Sequence, residues 1–156
     1  MSGFAARVVA MIDPLARVGV GGVLLAAACM KLTQFAVVPA VGPVSGIGAF
    51  VEQIRLHGLV PTGLAIPVAV VVVALEIVLG TWLLLHVRRV AASASAIALL
   101  AAFSGYLFVA WITGAAGSCA CLGDFAEQSI PGALLRKAGL AGALCAGIVL
   151  ARRGGA

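Results

Sequence analysis

Two cysteines one residue apart, Cys119-Ala120-Cys121, sit in the segment Ser118-Cys119-Ala120-Cys121-Leu122-Gly123-Asp124, where a long apolar stretch ends. Thiols at this spacing can close a small disulfide ring. Such a ring is strained, and strain makes the bond labile and suited to exchange. Gly117 and Gly123 flank the pair and permit the tight backbone that a small ring needs. Three chemistries are open: thiol–disulfide exchange, a plain structural bridge or inert thiols, and a soft-metal site for an ion such as Cu(I). Histidine and further cysteine are missing from the immediate sequence, so exchange is favoured over metal and no metal ligand set is assigned.

A second chemistry-bearing residue is Glu76, alone in a Val-rich apolar run. An unpaired carboxylate in the middle of a membrane span costs several kcal/mol, about 2.5–3.5 on insertion scales. Lys31 lies near the matching depth in an earlier apolar run, within reach by helical rise. The pair is read in two ways: an ion pair that fixes helix packing, or a proton-handling, quinone-side carboxylate beneath the thiols. Of the other two cysteines, Cys29 could approach the Cys-x-Cys segment from below as a third thiol. Cys145 reads as a small packing residue. Arg17 reads as a headgroup anchor, and His57 and His86 as solvated interfacial groups.

The elements that must hold these residues are membrane helices. Of 156 residues, 63% are hydrophobic and 10% charged, against about a quarter charged in a soluble domain. That composition excludes a water-soluble fold and a disordered chain. The net charge of +5 comes from basic residues placed singly or in pairs at the ends of apolar runs. This distribution suits topology signals, and it excludes nucleic acid as a partner. The expected fold is an all-α integral membrane bundle of four transmembrane helices, spans about 14–35, 65–85, 90–113 and 131–151. Residues 1–13 form a short cytoplasmic N-terminus and 152–156 a cytoplasmic tail; residues 14–151 are the membrane domain. Asp13-Pro14 reads as a helix start, Asp as N-cap and Pro at the first helical position. Ala26-Ala27-Ala28-Cys29 has the look of a lipoprotein cleavage box, but Leu25 stands one position too early, so the first span is expected to remain uncleaved.

In the first connection, Ile47, Phe50, Val51 and Ile54 fall on one helical face and predict a short amphipathic helix in an outer loop. Ala94, Ala98 and Ala102 in the third span, and Gly139, Ala143, Gly147 and Ala151 in the fourth, have the four-residue spacing of close helix contacts. Arg136 and Lys137 are expected to snorkel to an interface. Counting basic residues places Arg7, Arg17, Arg88, Arg89, Arg152 and Arg153 together with both termini on the cytoplasmic side. The Cys-x-Cys loop then lies on the oxidising outer face of the cytoplasmic membrane, where disulfides persist.

The order of features resembles the MauE family, the methylamine-utilisation membrane proteins related to DoxX-like four-helix proteins. The likeness runs over about residues 14–150. It is carried by Arg17-x-Gly19, by Ala28-Cys29-Met30-Lys31-Leu32, and by Phe50-x-x-x-Ile54 before Leu59-Val60-Pro61. Glu76-Ile77-x-x-x-Gly80-x-x-Leu83-Leu84 and Cys119-Ala120-Cys121-Leu122-Gly123 complete it. Leu122 departs from the family's usual Phe, and Ala28 or Cys29 stands where Gly is common. The resemblance implies a protein that assists redox maturation of an extracytoplasmic client, alongside a thioredoxin-like partner. Cys119 and Cys121 would act as the exchanging pair of a thiol–disulfide oxidoreductase, with a quinone or a second dithiol passing the electrons on. The alternative is a structural accessory subunit of a larger complex, contacting other membrane subunits through the small-residue faces. A small transporter is disfavoured by the single mid-span carboxylate and the lack of a broken-helix pair.

Overall fold

The computed structural model describes residues 3–33, 35–38, 42–85, 88–113 and 130–154. The Cys-x-Cys pair, Asp124, Glu127 and His86 lie outside the described residues. The chain is predominantly helical: α1 (Gly3–Thr33), α2 (Ile47–Leu56), α3 (Ala65–Leu84), α4 (Arg89–Ile112) and α5 (Ile130–Gly154). Between α1 and α2 a short antiparallel hairpin, β1 (Phe35–Val38) and β2 (Gly42–Ser45), pairs Phe35 with Ser45 and Val38 with Gly42. Sequence reading treats this stretch only as a Pro- and Gly-containing connection. Its four-residue strands are too short to show a period.

Among the described residues, three stretches are long and apolar enough to cross a membrane: Pro14–Thr33, Thr62–Leu84 and Val90–Ile112. Asp13-Pro14 does not start α1. The helix already runs from Gly3, and Pro14 lies within it. Proline removes one backbone donor there, a loss that a long helix tolerates in a membrane setting.

One stripe of each helix is turned inward. On α1 it comprises Arg17, Val20, Leu24, Ala27, Ala28 and Lys31; on α3 it comprises Ala65, Ala69, Val73, Glu76, Leu79 and Leu83. These positions recur every three or four residues, as the helical period requires. Two apolar clusters result. Val20, Leu24, Leu79, Leu83, Ala92, Ala96 and Leu144 join α1, α3, α4 and α5. Ala28, Phe50, Val51, Ile54, Ala65, Ala69 and Val73 seat α2 on α1 and α3. The apolar face of α2 is therefore buried inside the molecule.

A tight helix approach lies away from the expected alanine and glycine ladders. Ala94, Ala98, Ala102, Gly139 and Ala143 are exposed and α4 instead buries Ala92 and Ala96, whereas Gly147 of the second ladder is buried. The tight crossing is between α1 and α3, at Gly21 and Gly80. A Cβ on Gly80 would stand 3.0 Å from the Gly21 carbonyl oxygen and 2.8 Å from Leu25 Cγ. Spacing alone does not say which of several small-residue faces is turned inward; here the burial of Glu76 and Lys31 selects it. A further close fit is Gly46, at φ 59°, where an added Cβ would meet the Leu32 carbonyl oxygen at 2.8 Å.

Gly80→Ala is expected to lower stability by about 1–3 kcal/mol, the usual result of overpacking against backbone. Gly139→Ala has nothing among the described residues within 4 Å of its new methyl and should be neutral or stabilising by about 0.5–1 kcal/mol, the helix-interior difference between the two residues. Thermal unfolding of the two variants in detergent checks the contrast, and equal melting temperatures would contradict it.

Candidate functional site

The inward stripes of α1 and α3 bring Lys31 and Glu76 together. Lys31 Nζ donates to both carboxylate oxygens of Glu76, at 2.7 and 2.9 Å. The side chains are 2% and 5% exposed. The lysine ammonium also stands over the Phe50 ring, 5.2 Å from its centroid, so α2 closes over the pair.

α5 adds a group that sequence reading sends elsewhere. Lys137 does not snorkel to an interface: it is 7% exposed and lies over the Phe103 ring at 4.8 Å. Lys137 shares an inward stripe with Leu144 and Gly147. Reaching solvent would require rotating that stripe away from α1 and α4. Lys31, Glu76, Arg136 and Lys137 together line one recess, with Phe50, Phe103 and apolar residues of α1, α4 and α5. Three cations face one carboxylate among its described lining residues. The recess lies toward the ends of α4 and α5 that segment 114–129 joins.

Three other assignments change. Arg17 is no headgroup anchor: it is 2% exposed. Its separation of fourteen residues from Lys31 is close to four helical turns, so both cations fall on the inward face of α1. His57 is no solvated group either. It is buried at the end of α2, where its Nδ1 lies 3.1 Å from the Tyr106 hydroxyl, with the rings edge-to-face at 5.7 Å. The sequence isolates no signal for Tyr106, since a lone tyrosine in an apolar helix resembles any other core aromatic. Cys145 is exposed on α5 and is not a packing residue. Cys29 is exposed on α1, and whether it meets Cys119 or Cys121 lies outside the described residues. No metal-holding group of His, Cys, Asp and Glu occurs among the described residues.

Burial lowers the His57 pKa below its ordinary 6.5 by disfavouring the imidazolium. A depressed histidine pKa contributes stability that is fully present above the unfolded value near 6.5. That contribution is lost as pH falls toward the folded value. His57→Gln is therefore expected to flatten the decline in melting temperature between pH 7.5 and 5 relative to the parent protein. Parallel declines would show that His57 is not titrating in a buried site.

For the ion pair, Lys31→Met or Glu76→Met alone should destabilise by about 3–5 kcal/mol, because each leaves its partner buried and uncompensated. The double substitution should recover most of that loss. A double-mutant cycle on unfolding in detergent checks it, and additive losses would show that the two groups do not act as a pair.

The family model described as Methylamine utilisation protein MauE matches residues 8–150. No curated protein and no solved structure matches the chain. With helices fit to cross a bilayer and a family match over nearly its whole length, this integral membrane chain belongs to the MauE family.

Proposed function

We propose that this protein is a membrane thiol–disulfide protein that assists redox maturation of an extracytoplasmic partner, through exchange at Cys119 and Cys121. The observation that carries this reading is the pair itself: two thiols one residue apart, in the connection between α4 and α5. Family membership supports it, since the family's description names methylamine utilisation, and a role in that pathway is part of the proposal. In this reading α1, α3, α4 and α5 are the four spans, with α5 held in the bilayer by its packing on α1 and α4. Both termini are cytoplasmic, and the Cys-x-Cys connection faces outward to a thioredoxin-like protein or client.

The chemistry is an ordinary thiol–disulfide interchange. A thiolate of the partner attacks one sulfur of the Cys119–Cys121 disulfide, and a mixed disulfide forms as the other sulfur of the pair leaves. The partner's second cysteine then attacks the mixed disulfide, closing the partner's disulfide and releasing Cys119 and Cys121 as a dithiol. Lys31, Glu76, Arg136 and Lys137 are the charged groups beneath this connection. They order the helix ends that carry it, and Glu76 is the carboxylate able to take up or give back a proton.

A second reading, a structural accessory subunit, is favoured by the outward-facing alanines and glycines. Ala94, Ala98, Gly139 and Ala143 present a smooth surface on which another membrane helix could pack closely.

The two readings separate on the thiols. A membrane-impermeant maleimide applied to intact cells should label Cys119 and Cys121 only after reductant, with the added mass lost in Cys119→Ser/Cys121→Ser. Labelling confined to opened cells, or indifferent to reductant, would remove the exchange proposal. If the double serine variant supports client maturation fully and co-purifies stoichiometrically with other subunits, the accessory reading replaces it.

A further inference from the structure

Under α2, in the cleft where α3 and α4 diverge, lies a cavity of about 210 Å³. It is distinct from the charged recess, but the two share a wall. Phe50 and Phe103 line both. Each ring carries a lysine ammonium, Lys31 over Phe50 and Lys137 over Phe103. The remaining walls are largely apolar, with Val68 and Val72 on α3 facing Leu99 and Leu107 on α4. Ala102 is exposed and Val72 and Leu99 are half-buried, so the cavity communicates with the surroundings between α3 and α4.

Three of the lining residues are polar, Gln53, His57 and Tyr106, and the protons of the last two can be counted. His57 and Tyr106 both line the cavity and are bonded to each other through Nδ1 and the hydroxyl, 3.1 Å apart. A neutral imidazole has one N–H and a phenol one O–H, and their mutual bond consumes one of the two. If Tyr106 donates, the histidine N–H at Nε2 is left over. If Nδ1 donates, the tyrosine O–H is left over. Either tautomer leaves a single donor, and no other hydrogen bond of these two side chains occurs among the described residues. The depressed pKa of His57 keeps this account at one donor near neutral pH.

A ligand matched to these walls is uncharged, largely apolar, and carries a hydrogen-bond acceptor. A cation is disfavoured by the ammonium groups behind the two rings. A phosphate is disfavoured by largely apolar walls with no Lys or Arg among their described residues. A plain acyl chain would leave that donor buried and unsatisfied. We propose that the cavity binds the head of a lipid-soluble quinone, a ring carbonyl accepting from the His57–Tyr106 pair and the isoprenoid tail leaving between α3 and α4 into the bilayer. Binding stands on the cavity alone. What the quinone does there rests on the thiol–disulfide reading: the Cys119 and Cys121 thiols give up two electrons and two protons as their S–S bond forms. The quinone takes up both electrons and both protons and becomes a hydroquinone, so no further oxidant is needed.

The test uses the full chain in quinone-free nanodiscs and a photoreactive azidoquinone. Labelling is expected on peptides of α2, α3 and α4 and should be displaced by decylubiquinone but not by palmitate. Val72→Trp, which fills the cavity, should abolish it. His57→Leu with Tyr106→Phe should weaken decylubiquinone binding about five- to tenfold, the equivalent of one ordinary hydrogen bond. Cys119→Ser/Cys121→Ser should bind as the parent does. Equal displacement by palmitate, or labelling elsewhere in the chain, would overturn the proposal in favour of an acyl groove; this comparison needs no variant. If decylubiquinone binds the parent protein but leaves its reduced thiols unoxidised, the quinone site stands and the quinone's role as oxidant of Cys119 and Cys121 is overturned; the maleimide labelling decides the thiol–disulfide reading separately.

Discussion

The Lys31–Glu76 pair is the constraint from which the arrangement of the first three helices follows. Either group alone in the bilayer interior is expensive, and the pair is tolerable only with short, direct hydrogen bonds. Both bonds form, at 2.7 and 2.9 Å, and this contact fixes the rotation of α1 about its axis relative to α3. Once Lys31 faces Glu76, the helical period turns Arg17, Val20 and Leu24 inward on α1 and Val73, Gly80 and Leu83 inward on α3. The Phe50 ring then completes the shell of the lysine, and α2 is drawn down onto the bundle with its apolar face buried. A polar contact thus sets positions that apolar packing alone leaves degenerate, since in lipid one greasy face is much like another.

The rest of the cohesion comes from close approach. Lipid tails are as apolar as the side chains, so helices associate through van der Waals contact and need small residues at the crossing. The Gly21–Gly80 contact supplies this between α1 and α3, at the level where the carbonyl of one helix touches the backbone of the other. The crossing and the ion pair lie on the same two stripes, little more than one turn apart on α3. Each therefore holds the other in register: separating the helices would break the ion pair, and rotating them would drive Leu25 into the α3 backbone.

These relations explain which parts of the molecule could be read from the chain. Apolar run lengths declare the spans because the bilayer sets a length, and a lone mid-span Glu76 declares a need for a partner at its depth. The identity of the inward face is harder. The alanine ladder of α4 and the glycine ladder of α5 have the right spacing, yet Ala94, Ala98, Gly139 and Ala143 point outward and, among the described rungs, Gly147 alone is buried. Spacing defines a stripe, and only a residue that cannot face lipid says which way the stripe points. The same test, applied consistently, finds Arg17 and Lys137, both of which share stripes with apolar core residues. His57 and Tyr106 are different in kind. They are 49 residues apart in sequence, and their meeting depends on how α2 folds back onto α3 and α4, which local pattern does not encode.

The two aromatic residues at the boundary between the charged recess and the apolar cavity give the molecule a division of labour. Phe50 and Phe103 each hold an ammonium group over the ring and line both the charged recess and the cavity. An aromatic ring suits that position because its face attracts a cation while its body remains apolar. An aliphatic side chain would shield the cavity equally well but would give the ammonium nothing in return. The charges can therefore sit deep in the bundle without wetting the neighbouring space, and that space keeps the low polarity a lipid-soluble ligand requires. Charge and apolar volume are held a ring's thickness apart, at the end of the bundle from which the chain runs out to its paired cysteines. That is an economical way for a small membrane protein to keep charged groups and an apolar cavity side by side within one bundle.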